Sequence, residues 1–284
     1  MSRSSPTYSA RRSGQAVFFS LYVVLVALAF LPFTARSATP LQAPLRLDVP
    51  YVPTPPDVVA KMLEMADVKP SDFLIDLGAG DGRIAVAAVR DRGAKGAFGV
   101  DINPERVKEA RENAQQARVA DKVKFAVQDL FETDFSKATV VSMYLLPNVN
   151  LKLRPKILAM TPGTRVVSHA FDMDEWEPDA HVDLRGRDVY LWVVPAKVAG
   201  QWQFTGPEGN FTVDLRQEFQ KVTGTATAAG KKPLHLTGAM RGDVIHLAVL
   251  GGAAPQSYVG RVQGDTIVAL AEGGAAKDWR ASRR

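Results

Sequence analysis

The chain has 284 residues, of which 46% are hydrophobic and 23% are charged. These proportions are ordinary for a packed globular protein, so they exclude a disordered or fibrous chain. Because the sequence contains no cysteine, disulfides, thiolate metal sites and cysteine nucleophiles are excluded as well.

The formal net charge of +5 is unevenly distributed. Residues 1–37 hold four arginines and no acid, residues 38–194 hold 20 basic and 23 acidic residues, and residues 195–284 hold 11 basic and 7 acidic residues. The basic residues of the central region are interspersed with acids and form no clustered stripe. No nucleic-acid partner is therefore expected.

The first 37 residues have the pattern of an export signal. Arg11 and Arg12 precede an apolar run at residues 16–31, and small residues spaced for signal-peptidase cleavage follow at residues 35–38. Extension of the run to residue 33 makes an uncleaved membrane anchor the alternative. Either reading predicts a cell-envelope protein, with the side of the membrane left open.

Residues 38–56 form a proline-rich lead-in, after which apolar runs alternate with amphipathic stretches. Helices are predicted over 57–66, 83–91, 103–119 and 151–160, and strands over 73–77, 97–101, 123–129, 139–145, 164–171, 181–184 and 189–194. The last two strands are predicted to form a hairpin. This alternation predicts an α/β domain over 57–195, a parallel sheet whose strand C termini share one ligand-binding edge.

The pattern changes after residue 195. Short alternating apolar segments recur every 8–12 residues from 201 to 282, and none has a helical period. This spacing predicts a small antiparallel β-rich domain over 196–284, either a meander or a small barrel, which begins near Ala196–Gly200. Its role stays open between binding a partner, an envelope polymer or an apolar ligand and covering the sheet.

The sharpest motif is the loop from Asp76 to Gly82, which reads DLGAGDG between a strand and a helix. Glycines let the chain turn tightly and bring backbone N–H groups close to a ligand. Asp101 ends the next strand, where an acid can accept both hydroxyls of a ribose. A carboxylate at Asp76 would repel a pyrophosphate but suits a cationic ligand such as S-adenosylmethionine.

Asp129 ends the third strand and faces the same edge, where it can accept from an adenine amino group with Leu130 against the ring. The alternative is that Asp129 is a helix cap or a turn residue. The predicted cofactor-binding residues at the strand ends and the loop are Asp76, Gly78, Gly80, Asp81, Gly82, Asp101, Asn103, Asp129 and Leu130.

On these motifs, residues 51–195 resemble a class I S-adenosylmethionine-dependent methyltransferase, which implies a Rossmann-like seven-stranded sheet. The stretches YVPTP (51–55), DLGAGDGRI (76–84), QDLF (128–131) and RVVSHAF (165–171) are similar to the mitochondrial lysine methyltransferases of the ATP synthase c-subunit and the adenine nucleotide translocase. The resemblance implies that Tyr51, Pro53 and Thr54 help to close the cofactor site. It does not reach residues 196–284.

The motif that meets the methyl acceptor reads SMYLLP at residues 142–147. It lacks the Asn/Asp-Pro-Pro-aromatic pattern of enzymes that methylate adenine or glutamine, which argues against those two acceptors without pointing to another. The resemblance to the lysine methyltransferases implies a protein lysine as the acceptor. Tyr144 is the candidate for orienting the acceptor, and His169 for acting as base or hydrogen-bond partner. Each has a structural alternative, as a core tyrosine or a strand histidine. No metal-ligand spacing is present.

Two other functions stay open. An exported protein would not readily meet a cofactor made in the cytosol, so the fold could serve as a non-catalytic binding scaffold. A small-molecule methyl acceptor is the other alternative to a protein.

Overall fold

The computed structural model describes residues 51–207, 209–251, 256–271 and 276–284. The predicted leader at residues 1–37 and most of the proline-rich lead-in lie outside the described residues. Within the described ranges, no helix combines the length and the apolar character needed to cross a membrane.

The first half of the described chain alternates helices with strands. The helices are α1 (Pro56–Met65), α2 (Arg83–Arg90), α3 (Pro104–Gln116) and α4 (Pro147–Ile157). The strands are β1 (Phe73–Leu77), β2 (Gly96–Asp101), β3 (Val123–Val127), β4 (Val140–Met143), β5 (Arg165–His169), β6 (Ala180–Asp183) and β7 (Asp188–Val193).

These strands form one sheet in the order β3-β2-β1-β4-β5-β7-β6. The five strands β1 to β5 run parallel, and β7 is antiparallel to both β5 and β6. The predicted Rossmann-like seven-stranded sheet with a closing hairpin is confirmed. Two apolar clusters pack on the sheet, and the carboxyl ends of β1, β2 and β4 meet at one edge.

Several predicted boundaries were wrong for local reasons. Helix α4 begins at Pro147 and not at residue 151, because proline at the first helical position is already preset for a helix. The strand predicted over 164–171 ends at His169, since Ala170 has a positive φ of 66°. The strand predicted over 139–145 ends at Met143, which leaves Tyr144 beyond the sheet.

The second half of the described chain is an antiparallel barrel. Its strands are β8 (Gly200–Gly206), β9 (Gly209–Glu218), β10 (Lys221–Thr227), β11 (Leu234–Arg241), β12 (Val244–Val249), β13 (Gln256–Gln263), β14 (Thr266–Ala269) and β15 (Arg280–Arg283). Strand β15 pairs with β8, so the eight strands close. Of the two predicted alternatives, the barrel is therefore correct. Residues 194–199 join β7 to β8, where the sequence places the domain boundary.

Trp202, Phe204, Leu215 and Ile245 are among the buried side chains that fill the barrel. Along β8, β9 and β12 such buried side chains alternate with more exposed ones, which is the pattern of a sheet with one buried face. The barrel is thus a packed core of its own.

Candidate active site

The glycine-rich loop between β1 and α2 folds over the carboxyl end of the sheet. The N–H groups of Gly78 and Ala79 both donate to the carbonyl of Val100 at 2.9 Å, which fastens the loop to β2. Gly80 has a φ of +53°, and a Cβ there would lie 2.5 Å from the ring of Tyr51. Only glycine combines this backbone conformation with so close an approach.

Asp101 closes the loop from the end of β2. Its Oδ2 accepts from the Gly80 N–H at 2.9 Å, and its Oδ1 accepts from the Asn103 N–H at 2.9 Å. Asn103 in turn caps α3, because its Oδ1 accepts from the Glu105 N–H. The carboxylate is thereby fixed in the cleft and keeps lone pairs for a ligand hydroxyl.

Asp76, which is only 1% exposed, provides the clearest chemical signal of the site. Ser142 Oγ donates to its Oδ1 at 2.7 Å, whereas no described residue supplies a hydrogen-bond partner to its Oδ2. Burial, followed by the charges of Asp81 and Asp101, raises the pKa of Asp76 to about 7. A buried carboxylate oxygen without a partner is costly, so the site fits a cationic hydrogen-bond donor.

Asp129 and Leu130 lie in the same cleft beyond the end of β3. The Oδ1 of Asp129 accepts from the Phe131 N–H at 2.8 Å, which is a local turn bond. The turn alternative for Asp129 is thus present, and the exposed side chain still faces the cleft.

The segment before α1 covers one side of the cleft. The ring of Tyr51 lies over Gly80, and the guanidinium of Arg106 lies 4.6 Å from the centroid of that ring. Arg83 donates to the Thr54 carbonyl at 2.9 Å and forms a bidentate ion pair with Asp81. Burial and the nearby charge of Asp81 raise the pKa of Tyr51.

The rings of Tyr144, His169 and Phe171 form a cluster, here called the aromatic wall, of which Tyr144 lines the cleft. The rings of Tyr144 and His169 have centroids 4.0 Å apart, and Phe171 lies 6.2 Å from Tyr144 in a stacked orientation. His169 Nδ1 is 3.2 Å from Thr54 Oγ1, within hydrogen-bond distance. Burial, together with the charge of Arg187, lowers the pKa of His169, so the ring is largely neutral at pH 7.

Most of the predicted site residues meet in this one cleft. Those that line it are Tyr51, Pro53, Thr54, Asp76, Gly78, Gly80, Asp81, Asp101, Asn103, Asp129, Leu130 and Tyr144. His169 lies behind Tyr144 and does not line the cleft. Gly82 lies beneath the loop, where a Cβ would come within 2.5 Å of the Phe125 ring. Gly82 is thus required by packing, and the assigned cofactor and catalytic roles of all these residues, Gly82 included, stay predictions.

Three further residues of the site were not predicted from the sequence. Arg83 and Arg106 line the cleft, and Ser142 donates a hydrogen bond to Asp76. Arg83 opens α2 directly after the glycine loop, a position from which a long side chain can reach back. Ser142 stands within the acceptor motif, opposite Asp76 in the β1–β4 register. That register is set by the fold, so no local sequence signal pairs Ser142 with Asp76.

A family profile described as the ANTKMT methyltransferase domain matches residues 76–180, which run from β1 to the start of β6. A protein-lysine N-methyltransferase of Saccharolobus islandicus is 46% identical over 151 residues, which are 51% of this chain and 94% of that protein. This chain belongs to the same methyltransferase family as the Saccharolobus protein.

Two further relatives of this methyltransferase are informative. The human lysine N-methyltransferase of the ATP synthase c-subunit is 31% identical over 164 residues, 56% of this chain and 67% of that protein. A crystal structure described as an RNA methyltransferase from Salinibacter ruber, in complex with S-adenosyl-L-homocysteine, is 55% identical. It covers 52% of this chain and 96% of that chain, with a TM-score of 0.51.

The cofactor of this methyltransferase is S-adenosylmethionine. The cleft fits it, because the unpartnered oxygen of Asp76 can accept from an ammonium group and no phosphate has to approach that acid. We expect Asp101 to hold the ribose and Asp129 with Leu130 to hold the adenine. Four acids and two arginines face the cleft, a balance that suits a ligand with positive charge.

Proposed function

We propose that the protein transfers a methyl group from S-adenosylmethionine to the side-chain amine of a lysine in another protein. The relatives named as lysine methyltransferases support this substrate class. The observation that carries the proposal is the aromatic wall of Tyr144, His169 and Phe171, which reaches the cofactor cleft through Tyr144. Aromatic faces accommodate an alkyl chain and attract its ammonium end.

The bound cofactor supplies an activated methyl group, so the task left to the protein is to orient a neutral amine. A lysine enters as an ammonium and must lose a proton before it can attack. Removal of the amine from water disfavours its charged form and so lowers its pKa, which favours that loss. His169, whose own pKa is lowered, offers a neutral imidazole next to Tyr144 and adds no positive charge that would repel the lysine.

The charge of the methyltransferase region also supports a protein acceptor. Residues 38–194 carry 20 basic and 23 acidic residues, and phosphate-backbone binding depends on an excess of basic side chains. Because the Salinibacter relative is described as an RNA methyltransferase, RNA is the natural second substrate to include in the test.

The test is to incubate cell lysate with the purified protein and cofactor labelled in the methyl group. We expect label in protease-sensitive material and, after acid hydrolysis, in methyllysine. Asp101→Asn is the inactive control, and Tyr144→Phe and His169→Gln should each lower the rate at unchanged cofactor affinity. Label that is removed by ribonuclease and not by protease would overturn the lysine proposal.

We further propose that residues 1–37 direct the protein to the cell envelope, either as a cleaved signal or as an anchor. The support is the order of two arginines, an apolar run and small residues in the sequence. Cell fractionation and the intact mass of the mature protein test this. A full-length protein found in the soluble cytoplasmic fraction would contradict it.

A further inference from the structure

Two turns of the barrel touch the methyltransferase sheet and its loops. The Ala196 N–H donates at 2.8 Å to the carbonyl of Gly242, in the turn between β11 and β12. A Cβ on Gly242 would lie 3.0 Å from the Cα of Gly163, so the two backbones are in close contact. The turn between β9 and β10 forms the second contact and carries the aromatic side chain of Phe219.

Phe219 is the barrel residue that packs on the apolar core of the sheet. Its ring stacks on Trp176, with centroids 6.0 Å apart and an interplanar angle of 12°. The guanidinium of Arg154, from α4, lies 5.4 Å from the centroid of the same ring. Phe219 therefore contacts a buried tryptophan and a cation that both belong to the methyltransferase half.

The backbone at Phe219 is strained in a way that points to a role. Its φ is +51°, a conformation that is uncommon for a bulky residue. The side chain of Gln217 holds this turn, because its Nε2 donates to the carbonyls of Ala196 and Phe219 at 2.9 and 2.8 Å. Strain of this kind persists only where the surroundings impose it, and here it aims the ring at Trp176.

The segment that Phe219 supports is the loop 170–177, which follows β5 and leads from the aromatic wall to Trp176. Ala170 and Asp174 have positive φ values of 66° and 56°. Trp176 Nε1 is buried without a hydrogen-bond partner in the described part of the chain. Each feature costs free energy, so the loop depends on contacts from outside itself.

Those contacts converge on the backbone of the loop. Arg154, packed against Phe219, donates to the Met173 carbonyl at 2.9 Å. Asn150 Nδ2 donates to the carbonyls of Phe171 and Asp172 at 3.2 and 3.0 Å. Phe171 stacks against Tyr144 in the cleft. A continuous path of contacts therefore connects the barrel turn to the acceptor wall.

We propose that Phe219 is a positioning residue for methyl transfer: through Arg154 and Trp176 it fixes the loop 170–177 and thereby the aromatic wall that orients the acceptor. The proposal rests on the proposed function, because it takes the aromatic wall to be the place where the acceptor binds. It assigns the barrel a part in acceptor use, although Phe219 itself touches no ligand.

The experiment compares Phe219→Ala with Phe211→Ala in the full chain. Phe211 is the matched control, because it is a half-buried phenylalanine near the other end of β9 that contacts Phe204 and Tyr258 within the barrel. Phe219→Leu serves if the alanine variant folds poorly, and Phe219→Tyr tests rescue by another aromatic ring. Three quantities are measured for each variant: hydrogen exchange of the loop, affinity for S-adenosylhomocysteine, and methylation kinetics with lysate protein as the acceptor.

We expect Phe219→Ala to speed amide exchange in residues 170–177 about tenfold and to lower kcat/KM for the acceptor by a similar factor, with cofactor affinity within about twofold. Phe219→Tyr should restore both, and Phe211→Ala should change neither. Equal behaviour of the two alanine variants would overturn the inference, as would faster loop exchange with unchanged kinetics. The exchange measurement needs no acceptor, so it is informative even if the wild-type protein methylates no lysine.

Discussion

The sheet and the barrel differ most in what they bury. All ten buried polar or charged side chains of the described chain lie before residue 195, whereas the barrel buries apolar and aromatic residues. Buried polar groups are costly and persist where they hold a structure or a ligand in place. The cofactor cleft described above lies in the half that buries polar groups, whereas the barrel contacts that half largely through packing.

The largest effect on cofactor binding is expected from substitution of Asp76, the buried acid of the sheet half with an unpartnered oxygen. We expect Asp76→Asn to weaken cofactor binding by about 100-fold or more, because a buried ammonium then lacks its carboxylate. Thermal stability should not fall, since the variant removes a buried acid that has one unpartnered oxygen. Asp214→Asn, on an exposed position of β9, is the control.

Titration calorimetry with S-adenosylhomocysteine measures both variants. Affinity of Asp76→Asn within threefold of the wild type would show that the acid does not hold the cofactor. The assignment of cofactor binding to the sheet half would then lose its main support.

A second comparison sets two glycines of positive φ against each other. A Cβ at Gly82 would lie 2.5 Å from Phe125, whereas nothing lies within 4 Å of a Cβ at Gly209 in the barrel. Gly82→Ala should therefore cost about 2 kcal/mol of unfolding free energy, and Gly209→Ala about 1 kcal/mol from backbone strain alone. Urea unfolding measures both, and equal losses would contradict the packing role of Gly82.

The pH dependence of cofactor binding should be smaller but specific to Asp76. With a pKa of about 7, this carboxyl is mostly protonated at pH 6 and must lose its proton to pair with an ammonium. Affinity should fall about tenfold from pH 8 to pH 6, with about half a proton released on binding at pH 7. Calorimetry in two buffers of different ionisation enthalpy measures the proton, and Asp76→Asn should release none.

The raised pKa of Asp76 also makes the stability of the cofactor-free protein depend on pH, in the opposite direction to cofactor binding. Because the folded state binds this proton more tightly than the unfolded chain does, the contribution of Asp76 to stability falls as the pH rises from about 4 to about 7. Cofactor-free protein that gains stability specifically through Asp76 in this range would contradict the raised pKa.

The smallest effect on stability is expected from the ion pair that joins β10 of the barrel to the loop 170–177. Lys221 forms an ion pair with Glu177 at 2.7 Å, with both side chains more than half exposed. Lys221→Ala should change the unfolding free energy by less than about 0.5 kcal/mol, because exposed pairs are screened by solvent. A larger loss in thermal unfolding would mean that charge and not the packing of Phe219 holds the two halves together.

Sequence patterns predicted the sheet because its signals are local. The apolar run at Phe73–Leu77 is flanked by turn residues and became β1 without change of boundary. The convergence of Asp76, Asp101 and Asp129 followed from one rule, that parallel strands end at a common edge. Helix α4 begins four residues before its predicted start, because its first residue is a proline, which marks a helix start as readily as a break.

Contacts between distant residues were beyond local reasoning. Arg83 reaches Thr54, 29 residues earlier, and the closure of the barrel pairs Trp202 with Arg283. The strained turn at Phe219 has meaning only through Trp176, which belongs to the other half of the molecule. No periodicity or motif encodes such pairs, because they depend on where the chain returns in space.

The closure of the barrel has one more consequence. Each of its eight strands already has two hydrogen-bonded neighbours, whereas the sheet ends in β3 on one side and β6 on the other. An extended peptide that binds by adding a strand can join only an unpaired edge. Among the described residues, recruitment by strand addition is therefore open to the catalytic half, at β3 or β6, and closed to the paired strands of the barrel.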